Sequence, residues 1–255
     1  MARDGDLLAV GLILGLGGLG AAYLLLGRRP RTPTPTGVPL IRVDGERVLI
    51  FGDSLSHPGR DDGPTVVDVD PSDLTVASSS APGAVLAARL AAGLDTGGQR
   101  AAAVRLNARV GRSARSFLSR EDGASLLARD EAWGPTRVVV MLGTNDIDRG
   151  TGATALAQTK DALRQIRDAY RAMGAEVVAV GPPSYGDARY ARATPTMLGA
   201  LREIFGADRT LDARPATAGV GRSRDGVHFT PAGAQVAGRR LARALTGVDG
   251  SLITS

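Results

Sequence analysis

Asp225-Gly226-Val227-His228 places a carboxylate three positions before an imidazole, in a turn that leads into a helix opened by Pro231. In such a turn the acid can reach back to the ring, fix its tautomer and stabilise its protonated form. The chain has only two histidines, His57 and His228, so candidates for a general base are few. Gly52-Asp53-Ser54-Leu55 follows the apolar run Val48–Phe51, so a serine sits where a strand turns sharply, with its own N–H free to point at a developing oxyanion. Val138–Leu142 runs into Gly143-Thr144-Asn145-Asp146. The Asn145 amide is a neutral donor of the kind that stabilises an oxyanion by ~3–4 kcal/mol. In Asn107-Ala108-Arg109-Val110-Gly111-Arg112-Ser113, Gly111 lets the backbone approach a reacting group closely. Each fragment alone also has a plainer reading: an Asp-Ser helix cap, a turn glycine, a loop asparagine.

These residues need elements to hold them. Strands are predicted at Arg47–Phe51, Ala102–Leu106, Val138–Leu142, Glu176–Val180 and Thr210–Asp212. Helices are predicted at Pro82–Leu94, Ser113–Arg129, Thr154–Met173, Thr194–Phe205 and Pro231–Leu245. The alternation implies an α/β fold, a parallel sheet with helices on both faces. Such sheets place their sites beyond the carboxyl ends of the strands, and the serine, glycine and asparagine fragments each follow a predicted strand. Residues 57–80 interrupt the pattern with an acidic, turn-rich insertion. It reads either as a loop shaping access to the site or as a surface excursion. His57 opens it without an orienting acid, and is expected to be solvent-exposed.

Taken in order, GDSLS, the Gly111 loop, GTND and DGVHFTPAG resemble the four sequence blocks of the GDSL/SGNH hydrolase family, across residues 46–240. The resemblance implies a flavodoxin-like three-layer α/β/α sandwich. It implies Ser54 as nucleophile, His228 as base and Asp225 as the acid that orients it. It implies an oxyanion hole from the Ser54 N–H, the Gly111 N–H and the Asn145 side chain. The activity implied is a serine esterase acting on short-chain or O-acetyl esters through an acyl-enzyme, without metal or organic cofactor. Its rate should fall as acid protonates His228. Small-molecule, glycan and lipid esters all suit that chemistry. Two alternatives stand beside it: an O-acyltransferase delivering the acyl group to a glycan with the same triad, and a catalytically silent, membrane-anchored binding module.

The 255-residue chain is 43% hydrophobic and 22% charged, ordinary for a globular domain. It has no cysteine, which excludes disulfides, zinc-thiolate sites and a cysteine nucleophile. The net charge of +5 comes from arginines interleaved with acids, and Lys160 is the one lysine. Without a basic run paired with stacking aromatics, nucleic-acid binding is not expected. Residues 7–27 carry no charge. Roughly 20 helical residues at ~1.5 Å each span a ~30 Å hydrocarbon core, so residues 1–27 read as a single-pass transmembrane anchor. A signal peptide is the competing reading, but the leader MARDGD is charge-mixed and the run ends in LLLGRR. Arg28, Arg29 and Arg31 would hold the downstream side in the cytoplasm, whereas envelope substrates require the opposite orientation. Gly15-Leu16-Gly17-Gly18-Leu19-Gly20 matches a dinucleotide fingerprint but lacks the strand and helix that motif needs. Gly11 and Gly15 form a G-x-x-x-G that favours weak self-association of such helices. Residues 28–38 form a Thr/Pro linker, and the hydrolase domain is expected over 39–255.

Overall fold

Unbroken apolar runs such as Val48-Leu49-Ile50-Phe51 and Val138-Val139-Val140 suit strands covered on both faces, where alternation is unnecessary. The computed structural model describes residues 39–59, 64–72, 79–119 and 122–248. The anchor reading at 7–27, the Gly11/Gly15 pair, the Gly15–Gly20 motif and the linker lie outside those residues. Among the described residues no helix is long and apolar enough to cross a membrane.

The strands are β1 (Arg47–Gly52), β2 (Pro64–Asp68), β3 (Ala103–Arg109), β4 (Arg137–Met141), β5 (Glu176–Val180) and β6 (Thr210–Leu211). They form one sheet in the order β2-β3-β1-β4-β5-β6. All neighbours are parallel except β2, which runs antiparallel to β3. Numbered without β2, the order is 2-1-3-4-5, that of a flavodoxin-like doubly wound sheet.

The helices are α1 (Pro82–Ala92), α2 (Ala114–Ser119), α3 (Asp122–Trp133), α4 (Thr144–Asp148), α5 (Ala153–Ala172), α6 (Ala188–Phe205), α7 (Arg214–Thr217) and α8 (Pro231–Leu245). Side chains alternate across each strand, so one strand feeds two cores. Val48 and Ile50 join Leu86 and Leu90 of α1 and Leu241 and Leu245 of α8. Leu49 and Phe51 face the other way, onto Phe117 of α2, Leu163, Ile166 and Tyr170 of α5 and Leu201 of α6. Burying each such side chain contributes roughly 1.5–3 kcal/mol. These two layers hold the central strands, and hence the loops at their carboxyl ends, rigid.

The structure departs from the sequence expectations in four places. The 57–80 insertion contains β2, making the sheet mixed rather than wholly parallel. The single helix expected over Ser113–Arg129 is two, α2 and α3. The helix expected from Thr194 begins at Ala188, because Asp187 caps it by accepting from the N–H groups of Arg189 and Tyr190, and Pro195 lies within it. His57 is buried, not exposed. Its Nε2 lies 2.6 Å from Thr65 Oγ1 on β2 and its Nδ1 2.9 Å from the Gly59 carbonyl, so the insertion folds back and supplies the imidazole with partners.

Candidate active site

The turn after β1 is narrow because its neighbours on α1 and β4 crowd it. Ser56 is fully buried beneath it, its Oγ 3.7 Å from Met141 Sδ. A Cβ at Gly52 or Gly83 would stand 2.2 or 2.3 Å from that Oγ, so the chain passes only because both positions are glycine. The Gly83 N–H donates to the Leu55 carbonyl at 2.9 Å, tying the turn to α1. Asp53 is buried, and its Oδ1 accepts from the Leu55 N–H at 2.9 Å. Between these constraints Ser54 is left partly exposed.

The second segment lies 174 positions away in the chain, just before α8. Asp225 Oδ1 accepts from the Ser223 hydroxyl (2.7 Å), the Val227 N–H (2.8 Å) and the His228 N–H (2.9 Å). That leaves Oδ2 for His228 Nδ1 at 2.7 Å. Gly226, with φ of +67°, permits the reversal and lies against Gly186 and Asp187. Arg222 braces the loop from behind: its Nη1 donates to the Val227 carbonyl at 2.7 Å, its Nη2 donates to the Ser184 carbonyl, and it covers the Phe229 ring. The Thr230 hydroxyl caps α8 by accepting from the Gly233 N–H.

The two segments meet where His228 Nε2 lies 3.1 Å from Ser54 Oγ. Hydroxyl, imidazole and carboxylate are thus joined in series, with Nδ1 donating to Asp225 and Nε2 facing the hydroxyl. In that order the ring can accept the serine proton. The charges are tuned around it. Partial burial pushes the Asp225 carboxyl up, but the hydrogen bonds from His228, Ser223 and the two N–H groups outweigh it and hold it well below the carboxylate range. Asp53 moves the other way: burial, with the nearby Asp146 charge, raises it to about 7 despite the Leu55 N–H. Burial lowers Arg222 to about 10.

The remaining expected residues flank β1 on both sides, because β3 and β4 are its neighbours in the sheet. Gly111 follows β3 in an exposed left-handed turn with φ of +71°. Asn145 lies in the first turn of α4, after β4, and its Nδ2 donates to the Arg112 carbonyl at 3.0 Å. The structure therefore joins Ser54, His228 and Asp225 directly, and links Asn145 to the Gly111 loop. Sequence reasoning missed Arg112, Ser56 and the buried state of Asp53. Burial marks all three, and Arg112 and Ser56 also reach partners distant in the chain, Gly52 and Met141, so no local pattern announces them. Among the described residues no group of three or more His or carboxylate side chains could hold a metal ion.

Comparison with known proteins bears on the family and the fold. Residues 50–236 match the model of the GDSL-like lipase/acylhydrolase family. No curated protein matches the sequence. The structure of Axe2, an acetylxylan esterase from Geobacillus stearothermophilus, is similar at 17% identity and a TM-score of 0.56, covering 80% of this chain and 95% of that one. LAE5, an alpha/beta hydrolase enzyme from the metagenome of Lake Arreo, is similar at 18% identity and a TM-score of 0.55, covering 82% and 99%. Similar structures also include catalytic mutants of Axe2 in which a serine, an aspartate or a histidine is replaced by alanine. At such identities the likeness speaks to the fold, while the family match spans most of the sheet and both halves of the site. The chain belongs to the GDSL-like lipase/acylhydrolase family and is a carboxylic ester hydrolase.

Proposed function

We propose that the enzyme hydrolyses short-chain or O-acetyl esters through a covalent acyl intermediate on Ser54. The observation that carries this reading is the series Ser54 Oγ···His228 Nε2 at 3.1 Å and His228 Nδ1···Asp225 Oδ2 at 2.7 Å. His228 takes the hydroxyl proton as Ser54 attacks the ester carbonyl. The Ser54 N–H, the Gly111 N–H and the Asn145 amide receive the oxyanion. His228 then protonates the departing alcohol, and afterwards draws a proton from the water that releases the acid. Asp225 stabilises the imidazolium through both steps. The acetylxylan esterase name of a similar structure supports acetyl esters of carbohydrates as the first substrates to try. The charge-free run 7–27 supports attachment of the enzyme to a membrane.

The test is hydrolysis of p-nitrophenyl acetate and its longer-chain homologues by the full-length chain, beside Ser54→Ala and His228→Ala. Each substitution should lower kcat by about 10⁴-fold or more while the melting curve stays cooperative. Rates that decline from acetate to longer acyl chains support the short-chain preference. Undiminished turnover in Ser54→Ala rules out this nucleophile.

A further inference from the structure

Arg112 is a heavily used side chain near the site that the reaction scheme leaves without a role. It is buried, with 3% of its surface exposed. Its Nη1 donates to the Gly52 carbonyl at 3.1 Å and to the Asn107 carbonyl at 2.9 Å. Gly52 is the last residue of β1, two before Ser54, and Asn107 lies near the end of β3. The guanidinium carbon lies 4.7 Å from the centre of the Phe51 ring and 5.3 Å from that of Phe117, side chains of β1 and α2. Its main chain is engaged as well. The Arg112 N–H donates to the Arg109 carbonyl at 3.3 Å, closing the turn that contains Gly111. The Arg112 carbonyl accepts one Asn145 amide hydrogen at 3.0 Å. A primary amide has two such hydrogens, so this bond sets the direction of the other.

One residue thus touches all three chain segments that supply the oxyanion donors: the Ser54 turn, the Gly111 turn and Asn145. We propose that Arg112 is a positioning residue for the oxyanion site, its side chain fixing the ends of β1 and β3 while its carbonyl aims the Asn145 amide. The inference rests on the reading of Ser54, Gly111 and Asn145 given above. A bound guanidinium that merely filled the core would leave the donors independent of it. A positioning role couples them, and the coupling acts on the transition state, where donor geometry matters to a fraction of an ångström. Substrate binding in the ground state depends on it little.

The experiment is a double-mutant cycle in the full-length enzyme between Arg112→Met and Asn145→Ala, read as kcat and KM on p-nitrophenyl acetate, with melting curves for every variant. Arg112→Met keeps an unbranched apolar stem but loses the guanidinium and with it the hydrogen bonds to Gly52 and Asn107. It should lower kcat by about 10- to 100-fold with KM within about threefold, the pattern of a lost transition-state interaction. Asn145→Ala should cost about 10²- to 10³-fold alone. In the Arg112→Met background it should cost at least about tenfold less, because the amide is already misaimed. Arg112→Lys, which restores a donor but not the planar fork, should recover part of the lost kcat. If Arg112→Met fails to melt cooperatively above the assay temperature, the Lys variant carries the same cycle. Multiplicative losses, or an Arg112 variant with unchanged kcat, would overturn the proposal. If Asn145→Ala leaves the parent enzyme unimpaired, the oxyanion assignment itself fails, an outcome distinct from the first two.

Discussion

Two carboxylates near the Ser54–His228 contact are tuned in opposite directions. Asp225 sits below the ordinary range, so its bonds favour the folded state above that range and are lost as acid protonates it; being half-exposed, it contributes little. Asp53 is raised by burial to about 7 from 3.8, so between those values the folded protein holds a proton that the unfolded chain has released. The contribution of Asp53 to stability therefore falls as pH rises through that window. Asp53→Asn supplies a neutral group of the same shape. Its melting temperature should differ little from the parent's near pH 4 and should exceed it increasingly towards pH 8; parallel curves would show that Asp53 is not the group responsible. Asp225→Asn tests a different function. The amide cannot stabilise an imidazolium, so kcat should fall by up to about 10⁴ with the fold intact, as steady-state kinetics and thermal melts would show together. The residues proposed here to bear chemistry were legible in the sequence because their types are rare or their spacing is short: two histidines in all, and an acid three positions from one of them. Asp53 and Arg112 were not, because what makes them notable is burial and partners such as Gly52 and Asn145, which no local pattern announces.

At the level of elements, the approach of α1 to the β1 turn is tightly constrained. A Cβ at Gly83 would lie 2.3 Å from Ser56 Oγ and 2.9 Å from Ser56 Cα, the latter being backbone that cannot swing aside. Gly83→Ala should destabilise the protein by about 1–3 kcal/mol and lower kcat by displacing Ser54. Gly199 is the contrasting case, exposed in the middle of α6 with nothing within 4 Å of where a methyl group would stand. There the same substitution should stabilise by about 0.5–1 kcal/mol and leave kcat alone. Chemical denaturation of both variants checks the pair. The central strands and α8 were readable because continuous apolar runs and a Thr-Pro start have few other solutions. β2 was not: its Thr65-Val66-Val67 core is too short to show a period, and its acidic, turn-rich surroundings read as loop. The pairing that makes it a strand comes from β3, and the partner that buries His57 comes from β2 itself.

For the molecule as a whole, the sheet order explains why one loop cluster suffices. β1 lies between β3 and β4, so the loops bearing Ser54, Gly111 and Asn145 emerge side by side although they are scattered between positions 54 and 145 of the chain. The fold class was legible from the alternation of strands and helices; the mixed sheet was not, since one antiparallel edge strand leaves that alternation nearly unchanged. The hydrogen bond between Ser54 and His228 spans 174 positions. α8, which follows the histidine directly, packs on α1, which follows the serine turn. During synthesis the Ser54 turn, the sheet centre and the loops bearing Gly111 and Asn145 all leave the ribosome before His228 does. Under the proposed chemistry, hydrolytic competence therefore waits on a late-synthesised segment, because the imidazole reaches Ser54 only once α8 is docked on α1.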